Sequence, residues 1–582
     1  MRRYHRKLYN ALMLVFVTAI TLLLCLREGI GDFMERTKYI ETYKSLEENL
    51  TISLWNGVTD NSCGNYKVFI NWWCKERDNH YVLFVPGSMK EEKLYWLLGG
   101  PGKILLNDKT IKSGDLYDCD SGQYELVYME DGGEKHCKLD IFYTSPITTL
   151  FLETDSGSLS YIHESKENYE SGRYLFVDEN GMPCYEGKID DIHCRGNSSF
   201  DETDKKSYRI TLENKRDLFG MGEDADWVLT ANAFDNTLLR NALAFDIAKK
   251  LKLAYTPDVK YTDVYVNGNF VGNYLLSEKI EIGKNRVNIT NLQKEMKALN
   301  VSQELSEYEF FMEQQGRLFS TKGYRIEREP NDISGGYLLE LETSDRYGLE
   351  ASGFLTSRMQ PVVFASPKYA SYNQVSYVAN RYQDFEDAMF SEDGYSPYTG
   401  AYYSDYIDMD SFARKYLLEE LVKNLDASFT SQYLYKPDDT ESTKFFAGPA
   451  WDYDKSIAAS GITDDGINLH DAEGLYAALQ RKDSDIWYAL YQHEDFRILA
   501  AQIFFDELAP QMREEFDKMA DDYSNYIKDS NVCDIVRWTT FSQYETLEEK
   551  LDCYAEKVTE LKDFIHRRVD FMENEWKSLQ NK

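Results

Sequence analysis

The stretch Cys194-Arg195-Gly196-Asn197-Ser198-Ser199, followed by Lys205-Lys206-Ser207-Tyr208-Arg209-Ile210, constrains this chain most. A Gly-Asn-Ser-Ser turn has to feed a strand that opens on two lysines. Glycine permits the backbone of a tight turn. The turn offers backbone N–H groups, the serines add hydroxyl donors, and a lysine on the next strand can reach a phosphate held there. Taken alone, such a turn is more often an ordinary hairpin, so its meaning depends on the downstream elements.

Those elements form an ordered series. Asp226-Trp227-Val228-Leu229 reads as a strand, and Asn236 is placed to cap a helix that carries Leu239, Leu243 and Ile247 on one face. Thr262–Val266 and Phe270–Leu276 flank Asn267-Gly268, the signal of a type I′ hairpin. The hairpin ends in Ser277-Glu278-Lys279-Ile280. In the second half, Phe412, Tyr416, Leu417 and Leu421 have helical spacing, and that helix runs into Asn424-Leu425-Asp426. The strand Gln432–Tyr435 and a return through Phe445-Phe446-Ala447 lead to Trp451-Asp452-Tyr453-Asp454. One aspartate ends a helix and another ends a hairpin. Asp452 and Asp454 repel each other unless a cation lies between them. Turn, lysine strand, helix, hairpin and then these two aspartates match the order of parts in a kinase fold, although neither a His-Arg-Asp nor an Asp-Phe-Gly is present.

The chain resembles the spore coat protein H (CotH) kinase family of atypical secreted or surface kinases. The resemblance rests on Arg195–Ser199, Lys206–Ile210, Trp227–Leu229 with Leu238–Asn241, Val264–Gly268 through Ile280, Gly335–Glu340 and Trp451–Asp454. It covers roughly residues 148–510. It implies an α+β, divergent kinase-like two-lobe fold that uses ATP with Mg²⁺ or Mn²⁺ and transfers phosphate to protein Ser or Thr. On that resemblance Asp426 is the catalytic aspartate. Asp452, Asp454 and Gln432 are the metal ligands. Arg195, Gly196, Asn197, Ser198 and Lys206 meet the phosphates, with Lys205 as the fallback, and Glu278 marks the hinge. Asp246 is a candidate partner for the lysine. Members tend to carry an Asn where this chain has Ser431-Gln432; Gln can still ligate Mg²⁺ through oxygen. The alternative reading is a catalytically inactive surface scaffold or adhesin. A carboxylate-pair hydrolase would leave the phosphate-loop series unexplained.

A net charge of −34 disfavours nucleic acid and anionic membrane surfaces as partners and suits a basic protein substrate. Met1–Lys7 is basic and precedes a mostly apolar run, Leu8–Leu26, long enough to span a bilayer. No small-x-small cleavage site precedes Arg27, so an uncleaved anchor over residues 1–26 is expected, with signal-peptide cleavage and secretion as its rival. The rest would lie outside the cytoplasm, at the cell surface. Residues 27–59 read as a stalk. Residues 60–147 alternate in about seven short strands and read as an immunoglobulin-like β-sandwich. Residues 293–330 read as an insertion or lid, and residues 511–582 as helices that pack on the second lobe. Eight cysteines fall in near neighbours, 63/74, 119/137, 184/194 and 533/553, and local disulfides are the simplest expectation for an exported chain. His193 beside the turn reads as structural. Protease added to intact cells should shave the protein beyond about residue 27; a chain that stays whole in the cytosol overturns the topology.

Overall fold

The computed structural model describes residues 36–38, 51–58, 67–75, 79–99, 103–130, 133–428, 430–463 and 465–580. The apolar run Leu8–Leu26 and Cys63 lie outside them. Among the described residues no helix is long and apolar enough to cross a membrane. The fold is mixed α and β with several sheets, divided into two units. The first unit holds residues 1–159, 171–187 and 262–273, and the second holds 160–170, 188–261 and 274–582.

In the first unit, β1 (Thr51–Trp55) pairs antiparallel with β2 (Phe69–Asn71) and β5 (Tyr95–Gly99). β1 falls inside the stretch read as a stalk. A second sheet has the order β3 (Trp73–Lys75), β4 (His80–Val85), β9 (Gly133–Tyr143), β8 (Gly122–Glu130), β6 (Ile104–Leu106), β7 (Lys109–Ile111). Among the described residues the alternating sequence therefore gives eight short strands, which with β1 form two sheets, and Ile52, Leu54, Leu83, Leu126 and Leu139 are fully buried. The β4–β9 pair is parallel, so the chain between them is a crossover and not a hairpin. β10 (Thr149–Thr154) pairs with β11 (Glu170–Val177) and, in parallel, with β15 (Val259–Val266).

In the second unit, β12 (Pro183–Arg195), β13 (Ser207–Asp217), β14 (Glu223–Thr230) and β16 (Asn269–Glu278) form a ladder in that order. Asn267 (φ 50°) and Gly268 (φ 79°) both sit in the left-handed region, as a type I′ turn requires. Two one-turn helices come early, α1 (Ser160–Glu164) and α2 (Ser198–Glu202). The Gly-Asn-Ser-Ser segment therefore does not run straight into β13 but passes through α2. The helix after β14, α3 (Arg240–Lys250), starts later than Asn236. Asp235 organises its entry, accepting from the backbone N–H of Thr237 at 2.9 Å and of Arg240 at 2.7 Å.

A seven-stranded sheet comes next, ordered β17 (Phe310–Glu313), β18 (Ser320–Tyr324), β20 (Gly353–Leu355), β21 (Pro361–Ser366), β19 (Tyr337–Leu341), β22 (Gln432–Lys436), β23 (Phe446–Ala447). The stretch read as an insertion or lid is folded: it forms α4 (Leu292–Leu299) and supplies the edge strand β17 and its neighbour β18. Beyond it lie helices α5 (Ser344–Tyr347), α6 (Tyr372–Met389) and α7 (Met409–Val422). The C-terminal part is helical: α8 (Ile486–Tyr491), α9 (Glu494–Ile503), a π turn over Phe504–Leu508, α10 (Ala509–Tyr526), α11 (Lys528–Trp538) and α12 (Leu547–Trp576). Phe504, Leu508, Met512, Leu561 and Ile565 are fully buried.

α7 is buried on every face from Phe412 to Val422, including four charged side chains. A buried charge is tolerated only when it is paired. Arg414 meets Asp410 at 2.7 Å and Glu507 at 3.0 Å. Lys415 meets Glu419 at 2.5 Å, and the Tyr453 hydroxyl donates to the same Glu419 oxygen at 2.8 Å. Glu420 meets Arg568 of α12 at 2.8 Å, both fully buried.

Of the expected cysteine pairs, 119/137, 184/194 and 533/553 are not formed, and Cys63 of the fourth lies outside the described residues. Cys119, Cys194 and Cys553 are thiols. Cys184 and Cys194 lie ten residues apart on one strand, about 30 Å, far beyond disulfide reach. Burial pushes the Cys194 thiol up to about 12. Replacing Arg568 with Ala strands Glu420 as a lone buried charge, so denaturant unfolding should show a loss of about 3–5 kcal/mol. A loss under about 1 kcal/mol would mean that the pair is not holding α12 to α7.

Candidate active site

The turn, β13, α3 and the segment after β23 meet around a small cavity of about 50 Å³, room for an ion with a water or two. Arg195, Gly196, Ser199, Ser207, Asn241, Trp451, Asp452 and Asp454 are among its walls. Gly196 has φ 95°, and a Cβ there would stand 2.1 Å from the Ser199 hydroxyl. The turn needs glycine for its backbone and for the room beside that hydroxyl. The Arg195 guanidinium lies over the Trp451 ring at 4.9 Å. Burial draws its pKa down, while Tyr433, Asp452 and Glu340 push it back up.

The acids come from two segments stitched together by backbone. Helix α7 ends on Lys423, which is left-handed (φ 45°). Its ammonium donates to the carbonyls of Asp471 at 2.6 Å and Glu473 at 2.8 Å. Leu425 N–H donates to the Lys455 carbonyl at 3.1 Å, and Ile457 N–H to the Val422 carbonyl at 2.7 Å. The Asn424 amide donates to the Asp452 carbonyl at 3.3 Å. On the other side, Tyr453 N–H donates to Asn241 Oδ1 at 2.7 Å, which ties the Asp452–Asp454 segment to α3. Asp452 itself is left-handed (φ 65°), an unfavourable conformation held by these contacts.

The three aspartates sense one another. Burial pushes the Asp426 carboxyl up to about 7; the Asp452 charge adds to this and Lys455 opposes it. Burial, with Asp452 and Asp426 beside it, holds Asp454 well above the usual carboxylate range. Behind them Glu340 is pushed up to about 8, by burial and then by Glu342, and it shares a hydrogen bond with Tyr433.

The remaining sequence-named residues fall elsewhere. Lys206 is absent from the cavity wall. Its ammonium donates to the Phe200 and Thr203 carbonyls, both at 2.5 Å, closing the end of α2. Lys205 is buried against Asp534 of α11 at 2.7 Å. Asp246 meets neither lysine; it accepts from the Tyr523 hydroxyl at 2.7 Å. Glu278 is held by Arg286 at 2.6 Å and by the Asp258 N–H at 2.7 Å. Asn197 accepts from Lys166 at 3.1 Å, and Ser198 from Lys455 at 3.4 Å. His193 pairs with Asp191 at 2.6 Å. Gln432 is buried, with both amide atoms lacking a hydrogen-bond partner. Ser431, its neighbour, donates to Asp452 Oδ2 at 3.3 Å. Asn241 and Lys455 escaped the sequence reading. Asn241 sits in the quoted Arg-Asn pair, but nothing in the sequence shows which side chain reaches back to Tyr453.

Among the described residues no three His, Cys, Asp or Glu side chains are grouped closely enough to hold a metal by themselves. Asp452 and Asp454 nevertheless fit a cation that takes only one or two carboxylates and completes its shell with phosphate oxygens and water. In metal-free protein the raised Asp426 pKa has a sign. The folded chain holds this proton between about 4 and 7 where the unfolded chain has lost it, so stability falls as pH rises through that window and levels off above it. With chelator present, Asp426→Asn should therefore melt above wild type at pH 8, with the difference closing towards pH 4. Equal differences at both pH values would show that the carboxyl titrates normally.

The CotH kinase protein family matches residues 192–572, from within β12 through most of α12. No curated protein matches the chain. The match spans well over half of the sequence and contains the turn, all three aspartates and Lys455, and so the chain belongs to the CotH kinase family.

Proposed function

We propose that the protein is a metal-dependent phosphotransferase that moves the terminal phosphate of ATP to Ser or Thr of a protein substrate. The observation that carries this is one cavity lined by Asp452 and Asp454 together with Arg195, Gly196 and Ser199, with Asp426 close enough to feel both acids. Acids beside an anion-binding turn make sense when a cation and a phosphate lie between them. Asp452 and Asp454 would hold Mg²⁺ or Mn²⁺, and Ser431 and Asn424 steady Asp452. When bound, the cation supplies neutralisation of charge on the phosphates. Asp426, with its carboxyl near neutrality, is matched to taking the proton of an acceptor hydroxyl at physiological pH. Arg195, rather than Lys206, brings a cation to the turn. The half-buried Tyr255, Ile280, Ile289, Tyr433 and Phe446 pack on Ile282, Val287, Leu338 and Tyr435 in an apolar cluster after Glu278. The basic N-terminus and Leu8–Leu26 support membrane anchorage with the bulk of the chain outside the cytoplasm.

One observation favours an inactive scaffold: Ser431, not Asn, stands beside Asp452. Three proteins separate the two readings. Asp452→Asn should lose Mn²⁺-dependent ATP binding with its fold intact. Asp426→Asn should still bind ATP, while phosphate transfer falls by about two or more orders of magnitude. Wild-type transfer should rise with pH as Asp426 ionises, below the metal-free value of about 7 because the cation offsets the Asp452 charge that raises it. Undiminished ATP binding by Asp452→Asn would sink the metal assignment, and a wild type that binds no nucleotide would establish the scaffold.

A further inference from the structure

Most cations around the turn are spent, apart from the exposed Lys166, which donates to Asn197 at 3.1 Å. Lys206 serves two carbonyls and Lys205 serves Asp534. Arg209 holds Asp226 with two nitrogens, at 3.0 and 2.7 Å. Lys279 is on Glu281 at 2.9 Å. Arg195 lines the cavity with its flat face on Trp451.

Lys455 differs. Its ammonium reaches the Ser198 hydroxyl at 3.4 Å and lies 4.1 Å from the Phe234 ring centre. Neither contact neutralises it; among the described residues it makes no ion pair within 4.0 Å, and the acids whose charge it offsets from further away are Asp426 and Asp454. Its chain neighbour Asp454 and the next residue after Ser198, Ser199, both line the cavity. Its own carbonyl takes the Leu425 N–H at 3.1 Å, so the backbone that carries this ammonium is the backbone that fixes the Asp426 loop. One residue thus brings a positive charge to the serine turn from the segment that bears the acids.

Building on the phosphotransferase reading, we infer that Lys455 is the phosphate-contacting lysine of this site, the role the sequence order assigns to Lys206. An ammonium with donors to spare, on a serine hydroxyl of the turn that also carries Arg195, suits the oxygens of a polyphosphate chain. Lys206, by contrast, is a structural clamp on α2.

The test compares wild type, Lys455→Met, Lys455→Arg and Lys206→Met by calorimetric titration. The non-hydrolysable triphosphate AMP-PNP with Mn²⁺ is one ligand and adenosine the other. Lys455→Met should weaken AMP-PNP about ten-fold, the scale of one charge-assisted contact, and leave adenosine unchanged. Lys455→Arg should recover most of the loss. Lys206→Met should lower the melting temperature without changing AMP-PNP affinity. The assignment is overturned if Lys455→Met binds AMP-PNP like wild type, if it weakens adenosine equally, which marks a structural role, or if Lys206→Met is the variant that loses affinity. Wild type failing to bind AMP-PNP at all would instead overturn the phosphotransferase reading, and this assignment with it.

Discussion

Two adjacent glutamates near the end of α7 anchor everything the site needs. Glu419 accepts from the Tyr453 hydroxyl and pairs with Lys415, deep in the core. Glu420 pairs with Arg568 and accepts the Tyr476 N–H at 2.6 Å. Charges this deep are tolerated only when paired. Arg568 in turn donates to the carbonyls of Ala472 and Gly474, and the Tyr476 hydroxyl to Asn424 O at 2.5 Å. One glutamate therefore positions the residue between Asp452 and Asp454. The other positions the chain that cups the Asp426 loop. The C-terminal helix, far along the sequence, is part of the same lattice of contacts, and the family match runs on through it to residue 572.

This rigidity explains how three carboxylates stay together instead of springing apart. Each would relieve repulsion by moving into solvent. The backbone bonds from Leu425 and Ile457, the Asn241 contact at Tyr453 and the left-handed geometry of Asp452 prevent it. The acids respond by shifting protons: Asp426 and Asp454 hold theirs more tightly than ordinary aspartates. A cluster of acids held together in this way favours a positive charge beside it.

The positive side of the site is arranged differently. Arg195 is fixed by an aromatic face and acids on several sides, so it is a rigid cation. Lys455 sits on a ring and a hydroxyl, and its charge offsets Asp426 and Asp454 without an ion pair. In a chain of net charge −34, a lysine without an acid partner beside an acidic cluster is conspicuous.

The local order of elements was written in the sequence. The Asn267-Gly268 hairpin, the helix before Asp426, the strand at Gln432 and the C-terminal helical stripes come from turn chemistry and apolar periodicity, which act over a few residues. Gly196 and the Asp426, Asp452 and Asp454 carboxyls could be named for the same reason. The family resemblance was legible because it lies in that order. Side-chain partners were not. Whether Lys206 reaches a phosphate or folds back on Phe200 and Thr203 depends on α2, a single turn whose stability comes from tertiary context. That Cys184 and Cys194 cannot pair is a consequence of a thirteen-residue strand, longer than the alternation around them foretold. Asp235, rather than Asn236, organises the helix entry because the Arg240 N–H sits within its reach. Lys455 and Asn241 owe their roles to segments brought together across more than two hundred residues of chain, and only the packing of the folded core decides such meetings.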